Sequence, residues 1–267
     1  MWTYQHQRFR VYQIPVLRDN YVYIIEDCHS EVVLVVDPSL AEPIIQSCNK
    51  LNITPTHIIN THHHWDHTDG NLELVQHFHC EVVGNMADAQ RIPGISMAMD
   101  VPSQPSLTLG ALELRILDVP GHTLGHIAYV IDDALFCGDT LFGAGCGRLF
   151  EGTPTQMWSS LQQLAALDDA TQVYCAHEYT LPNLRFARNV DAENTILKQR
   201  IHTDTVSRRQ KQPTIPSSIA LEKQTNPFLR PLDAEFCAAY NQQSAATEQH
   251  LQPLDIFTEL RQRKNKW

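Results

Sequence analysis

Residues 61 to 67 read Thr-His-His-His-Trp-Asp-His, and the order H-x-H-x-D-H sets four imidazoles and a carboxylate in seven positions, enough to serve two adjacent metal ions. Neutral imidazole and carboxylate are common ligands of catalytic zinc, iron or manganese, whereas a closed structural site more often uses thiolates. The chemistry to expect is metal-dependent hydrolysis. No G-x-S-x-G elbow offers a serine nucleophile instead.

Such ligands need rigid elements behind them. His57 to Asn60 reads as a short buried strand, and Leu72, Leu74, Val75 and Phe78 have the spacing of a helix, so the cluster lies on a strand-to-helix loop. Alternate residues of an extended segment share a face. His62 and His64 therefore suit one ion, while Asp66 and His67, turning into the helix, suit a second; His63 and Trp65 are expected to pack. Three later apolar runs end in similar fashion, at Pro120-Gly121-His122-Thr123-Leu124-Gly125-His126, at Gly138-Asp139-Thr140 and at His177-Glu178-Tyr179. Loops at strand ends are where sheet-based enzymes collect their chemistry.

The motifs THHHWDH, PGHTLGH, CGDTLFGAGCGR and AHEYT, in that order, resemble the metallo-β-lactamase superfamily, and within it the glyoxalase II family, the hydroxyacylglutathione hydrolases. Asn226-Pro227-Phe228-Leu229-Arg230 is similar to that family's C-terminal signature. The resemblance implies an α+β fold, an αββα sandwich over residues 1–176 as catalytic domain and a smaller helical substrate-binding domain over 177–267. It implies that His62, His64 and His122 hold one metal, that Asp66, His67 and His177 hold the other, and that Asp139 bridges them. Two divalent ions, zinc first with iron or manganese also suitable, would supply a bridging hydroxide to attack a thioester carbonyl. Asp66 and Asp139 are the implied catalytic carboxylates. The implied reaction is hydrolysis of S-D-lactoylglutathione and related 2-hydroxyacylglutathione thioesters, the second step of methylglyoxal detoxification.

Glutathione carries two carboxylates, so its pocket needs cations and hydrogen-bond donors. By motif, Arg148, Tyr179, Asn183 and Arg230 would line it. Arg148 and Phe150 stand where many relatives have lysine and tyrosine, and Phe150 packs without a hydroxyl to donate. After Arg230 the chain offers only the acids Asp233 and Glu235 as nearby charges, which predicts a weaker hold on a glutathione carboxylate. Cys137 reads as a reduced core thiol, His126 as a structural hydrogen-bonding residue, and the basic run 261–266 as a solvated helix end.

A length of 267 residues with 43% hydrophobic content allows a large core, and a formal net charge of -10 disfavours nucleic acid or an anionic membrane as partner. The polar first ten residues lack the apolar core of a signal peptide, and no segment approaches the roughly 20 apolar residues of a membrane span. Seven cysteines without a CxxC pair suit a reducing compartment, so a cytoplasmic location is expected, and the chain is expected to be a monomer. Two rival readings stand beside the hydrolase. One is a one-iron glutathione persulfide dioxygenase of the same superfamily, disfavoured by the tail carrying NPFLR. The other is a non-catalytic metal-binding module, disfavoured because none of the seven ligand positions is lost.

Overall fold

Strands that are apolar at nearly every position must be covered on both faces, and the first third of this chain is built from them. The computed structural model describes residues 1–243 and 250–267. They form two compact units, one of residues 1–118 and 124–138, the other of residues 119–123 and 139–267. These units divide the chain at other points than the expected modules 1–176 and 177–267.

In the first unit, β1 (Trp2–Gln5), β2 (Phe9–Val16), β3 (Asn20–Asp27) and β4 (Val33–Val36) pair antiparallel in sequence order. The helix α1 (Glu42–Leu51) then carries the chain to β5 (His57–Ile59), which pairs parallel with β4. The short α2 (Trp65–Thr68) and α3 (Asn71–Phe78) lead to β6 (Glu81–Asn85) and β7 (Met97–Met99), both added in parallel, so the sheet has seven strands in sequence order. Ile44, Ile45 and Cys48 of α1 and Leu74 of α3 share a core with Val22, Ile24, Val35 and Ile58 on one face of the sheet. A meander of β8 (Ser106–Leu109), β9 (Leu112–Asp118), β10 (Ile127–Ile131) and β11 (Ala134–Gly138) packs on the other face. There Tyr23 meets Phe136 edge to face at 5.7 Å, and Tyr129 Oη donates to the carbonyl of Asn60 at 2.9 Å. Helices on one side and a second sheet on the other leave no strand face of β3 exposed.

The second unit starts with a two-stranded ribbon, β12 (Leu141–Phe142) and β13 (Gly145–Cys146). The helix α4 (Pro154–Ala165) follows, opened by a Thr153–Gln156 capping box with Pro154 in its first turn. Next come β14 (Gln172–Cys175), α5 (Thr180–Val190), α6 (Thr195–Arg209) and β15 (Ser217–Ser218), which pairs antiparallel with β14. Helices α7 (Ile219–Thr225), α8 (Ala234–Gln243) and α9 (Pro253–Asn265) complete it. Its core is aromatic: Phe228 lies 6.0 Å from Phe186 and 6.0 Å from Phe257, and Phe257 lies 5.6 Å from Trp158. Each such buried ring contributes roughly 1.5–3 kcal/mol. Among the described residues no helix is long and apolar enough to cross a membrane.

Candidate metal centre

The strand β5 stops at Ile59, and the following loop is tied down before it reaches its histidines. Asp37, at the end of β4, accepts from Thr61 N at 2.8 Å, from Thr61 Oγ1 at 2.7 Å and from His67 Nδ1 at 3.0 Å. The buried Asn60 side chain donates to the carbonyl of His67 at 2.9 Å and accepts from Asn71 at 2.8 Å, closing the loop on itself. His64 is still extended, with φ -61° and ψ 147°, and the helix turn begins at Trp65. That switch puts His62 and His64 on the loop and Asp66 and His67 on the first turn, as the spacing requires.

The hydrogen-bond network assigns the tautomers. Thr61 Oγ1 spends its proton on Asp37, so it accepts from His62 Nδ1 at 3.0 Å. His67 Nδ1 likewise donates to a carboxylate. Both rings therefore present Nε2 as the lone-pair nitrogen, His62 at 3.1 Å from His64 Nδ1 and His67 at 3.6 Å from Asp66 Oδ2. Donation of the second ring nitrogen to a carboxylate is the arrangement that orients metal-binding histidine. Asn20 Nδ2 donates to Asp66 Oδ2 at 3.2 Å, and His126, fully buried, stacks on the His62 ring at 4.6 Å. Cys137 is a buried core residue.

The second unit repeats the logic. His122 Nδ1 donates to the carbonyl of Arg148 at 2.8 Å, which leaves Nε2 as a lone pair 3.4 Å from Asp139 Oδ2. The other oxygen, Asp139 Oδ1, lies 3.3 Å from His177 Nε2. An imidazole nitrogen and a carboxylate oxygen brought this close are donors of the kind a divalent metal takes, so His122 and Asp139 fit a metal. One carboxylate facing two imidazoles has the form of a bridging ligand. A Cβ on Gly147 would lie 2.0 Å from the Asp139 carbonyl oxygen, so only glycine lets the 147–148 segment pass there. His177 is held by Tyr179, whose ring is stacked on it at 4.7 Å.

Beside His122 and Asp139 opens a cavity of about 480 Å³. Arg148, Phe150, Tyr179 and Asn183 line it, and Phe150, 62% exposed, sits edge-on to His122 at 5.1 Å. Arg230 does not line it. The Arg230 guanidinium pairs with Asp191 at 3.1 Å and Asp233 at 2.8 Å and lies over the Phe236 ring, which makes it an internal tie. The acids after Arg230 accordingly bear on that tie and not on the cavity. Besides Arg148, the cavity is lined by the cations Arg261 and Lys264, from the run expected to be a solvated helix end. Arg261 is only 4% exposed, lies over Phe228 and donates to the Cys146 carbonyl at 2.9 Å. Burial, helped by Arg261, Arg185 and Arg148, pushes the Lys264 ammonium down to about 8.

Two expectations about the loop also change. Trp65 does not pack; it is 62% exposed because the first turn of α2 faces outward there. His63 is held by polar contacts, with Nδ1 2.9 Å from the buried Asp88 carboxylate and Nε2 3.1 Å from Arg91.

Residues 16–177 match the family profile of the metallo-beta-lactamase superfamily, and residues 178–267 match that of the hydroxyacylglutathione hydrolase C-terminus. A hydroxyacylglutathione hydrolase of Rhodospirillum rubrum is 44% identical over 96% of this chain and 97% of its own length. One of Shewanella baltica is 47% identical over 95% of this chain and 98% of its own. Among solved structures, ETHE1 from Myxococcus xanthus superposes with a TM-score of 0.63 at 24% identity, covering 95% of this chain and 97% of that one. A metallo-beta-lactamase from Staphylococcus aureus gives 0.62 at 18% identity over 97% and 72%. These likenesses establish the fold as the α+β metallo-β-lactamase sandwich with a helical C-terminal domain, and the cluster of imidazole and carboxylate donors suits two divalent cations. With relatives this similar over nearly its whole length and two profiles that together match residues 16–267, the chain belongs to the hydroxyacylglutathione hydrolase family of the metallo-β-lactamase superfamily.

Proposed function

We propose that this protein hydrolyses S-D-lactoylglutathione and related 2-hydroxyacylglutathione thioesters to glutathione and a 2-hydroxy acid, the second step of methylglyoxal detoxification. The observation that carries the reading is the cavity beside His122 and Asp139, which gathers Arg148, Arg261 and Lys264 with Tyr179 and Asn183. Three cations and two hydrogen-bonding side chains next to metal-type donors match an anionic tripeptide joined to the group being cleaved.

His62, His64 and His122 are proposed to hold one ion and Asp66, His67 and His177 the other, with Asp139 between them, zinc being the first choice of metal. Bound there, two divalent ions supply the Lewis acidity that brings the pKa of water to about 7 and polarises a carbonyl. Asp66 and Asp139 would help orient the attacking group. His122, its ring fixed by the Arg148 carbonyl, keeps Nε2 aimed at the reacting region. Arg261 and Lys264 anchor glutathione carboxylates, Asn183 and Tyr179 meet its polar backbone, and Phe150 covers its apolar side. Glutathione departs as a thiolate, which requires no dedicated general acid. Residues 1–176 act as the catalytic domain and 177–267 as the substrate-binding domain of a cytoplasmic monomer.

The test is turnover of purified protein on S-D-lactoylglutathione, followed at the thioester absorbance, beside the same acyl group on N-acetylcysteamine. Preference for the glutathione thioester by about a hundredfold in kcat/KM is expected from the anchoring cations. Equal turnover of both thioesters contradicts the assignment of the cavity.

A further inference from the structure

The ribbon of β12 and β13 carries Phe142 and Cys146 to the cavity wall, and Arg148 follows it one residue on, after Gly147. Two residues per strand is too little for a ribbon to hold its own shape. Its turn also contains Ala144 at φ +52°, a conformation non-glycine residues seldom adopt. The backbone groups of the turn are instead satisfied from outside. Ala144 N donates to Glu222 Oε2 at 2.8 Å, Asn226 Nδ2 donates to the carbonyls of Gly145 at 2.9 Å and Phe142 at 3.2 Å, and Asn183 Nδ2 donates to that of Gly143 at 3.0 Å.

Glu222 is the centre of this arrangement. It is fully buried, and its Oε2 also accepts from Asn226 Nδ2 at 3.0 Å. Its Oε1 faces the other way and accepts from Arg200 Nη2 at 2.6 Å and from Ser217 Oγ. Arg200, itself buried, brings the neutralising charge from α6 and donates to Thr225 Oγ1 at 2.6 Å. A buried ion pair is weak evidence for stability, since desolvation offsets its attraction. An ionised carboxylate, however, accepts on both oxygens at once, which a neutral amide or hydroxyl of that size does not.

We infer that Glu222, acting through Ala144 N and Asn226, is a positioning residue that sets where the 142–145 turn places Phe142 and Arg148, and thereby sets the affinity for the glutathione moiety. This rests on the proposed assignment of the cavity to glutathione. It also gives the NPFLR segment a role in this chain: Asn226, not Arg230, is the member of it that reaches the cavity wall.

The experiment is steady-state kinetics of Glu222→Gln. A single amide oxygen serves only one of the two sides, and its amino group must face a donor on the other. KM for S-D-lactoylglutathione is expected to rise about tenfold with kcat within about twofold, while KM for the N-acetylcysteamine thioester stays unchanged. Ser217→Ala is the control: it removes a bond on the far side of the same carboxylate, and it should lower the melting temperature and leave both KM values alone. Equal falls in kcat on both substrates, or an unchanged KM in Glu222→Gln, assign Glu222 a purely structural role and overturn the inference. Should Glu222→Gln fail to fold, Glu222→Asp keeps the charge for Arg200 while drawing the carboxylate off Ala144, and the same KM rise is expected of it. Arg148→Ala separates the two levels. If it leaves KM unchanged, the cavity assignment fails; if it raises KM and the Glu222 variants do not, the positioning role fails alone.

Discussion

Lys264 should make substrate affinity depend on pH in a range where the substrate's own carboxylates do not titrate. Its ammonium lies 5.2 Å above the Phe186 ring and 3.4 Å from the Pro182 carbonyl, on the wall of the cavity. Burial is the main cause of its lowered pKa, and Arg261, Arg185 and Arg148 push the same way, against an opposing contribution from the Cys146 thiol. With a pKa of about 8, the group is roughly nine-tenths charged at pH 7 and roughly one-tenth charged at pH 9. A hydrogen bond to a charged group contributes about 1.5–3 kcal/mol, and each 1.36 kcal/mol is a factor of ten. KM for S-D-lactoylglutathione should therefore be flat up to about pH 7 and about tenfold higher at pH 9. Lys264→Met should raise KM about tenfold at pH 7 and flatten the profile. Lys264→Arg, charged throughout, should keep KM low to pH 9. The glutathione amine titrates near the top of this range but does so equally with all three proteins, so the differences between profiles isolate Lys264. A wild-type KM constant to pH 9, or a Lys264→Arg protein that keeps the full rise, refutes the reasoning.

Three other substitutions separate support from binding. Arg200→Met leaves the Glu222 carboxylate buried without its counter-charge, at a cost of roughly 3–5 kcal/mol; a fall of about 10 °C in melting temperature is expected by calorimetry, and a loss of only a degree or two contradicts it. Asp37→Asn turns an amino group toward the donors His67 Nδ1 and Thr61, and metal affinity measured by chelator competition should drop about 10- to 100-fold, whereas an unchanged dissociation constant removes Asp37 from the metal's support. Arg230→Met breaks the tie to Asp191 and Asp233, so it should lower the melting temperature by a few degrees, the equivalent of about 1 kcal/mol, and leave KM unchanged; a raised KM would return Arg230 to the glutathione site.

What was legible in the sequence was the chemistry packed into contiguous loops. His62, His64, Asp66 and His67 follow one strand end, and His122, Asp139 and His177 follow others, so strand-end reasoning found the loops and the family motif supplied the ligand division that is proposed. The supports were less visible because they come from distant positions: nothing local announces that Asp37 accepts from His67, or Glu222 from Ala144. Arg261 and Lys264 were hidden in a run of charges that reads as a solvated helix end. One signal was available there. Ile256, Phe257 and Leu260 form the buried stripe of α9, and Arg261 and Lys264, three residues apart, prolong it toward the C-terminus. Charges in line with an apolar stripe point inward to a site, and that criterion separates Arg261 from the exposed Arg263 and Lys266. Arg230 misled for the opposite reason, since it sits in a signature whose contact with the cavity wall is made by Asn226.

Metal-dependent cleavage of a glutathione thioester is the activity from which every other role described for these residues follows. The direct measurement is titration of chelator-treated protein with zinc, recording bound metal and the rate of S-D-lactoylglutathione hydrolysis on the same samples. Activity absent without metal, rising to a plateau at two ions per chain, is the predicted result. Full hydrolysis by metal-free protein, or two bound ions with no loss of thioester, would contradict it.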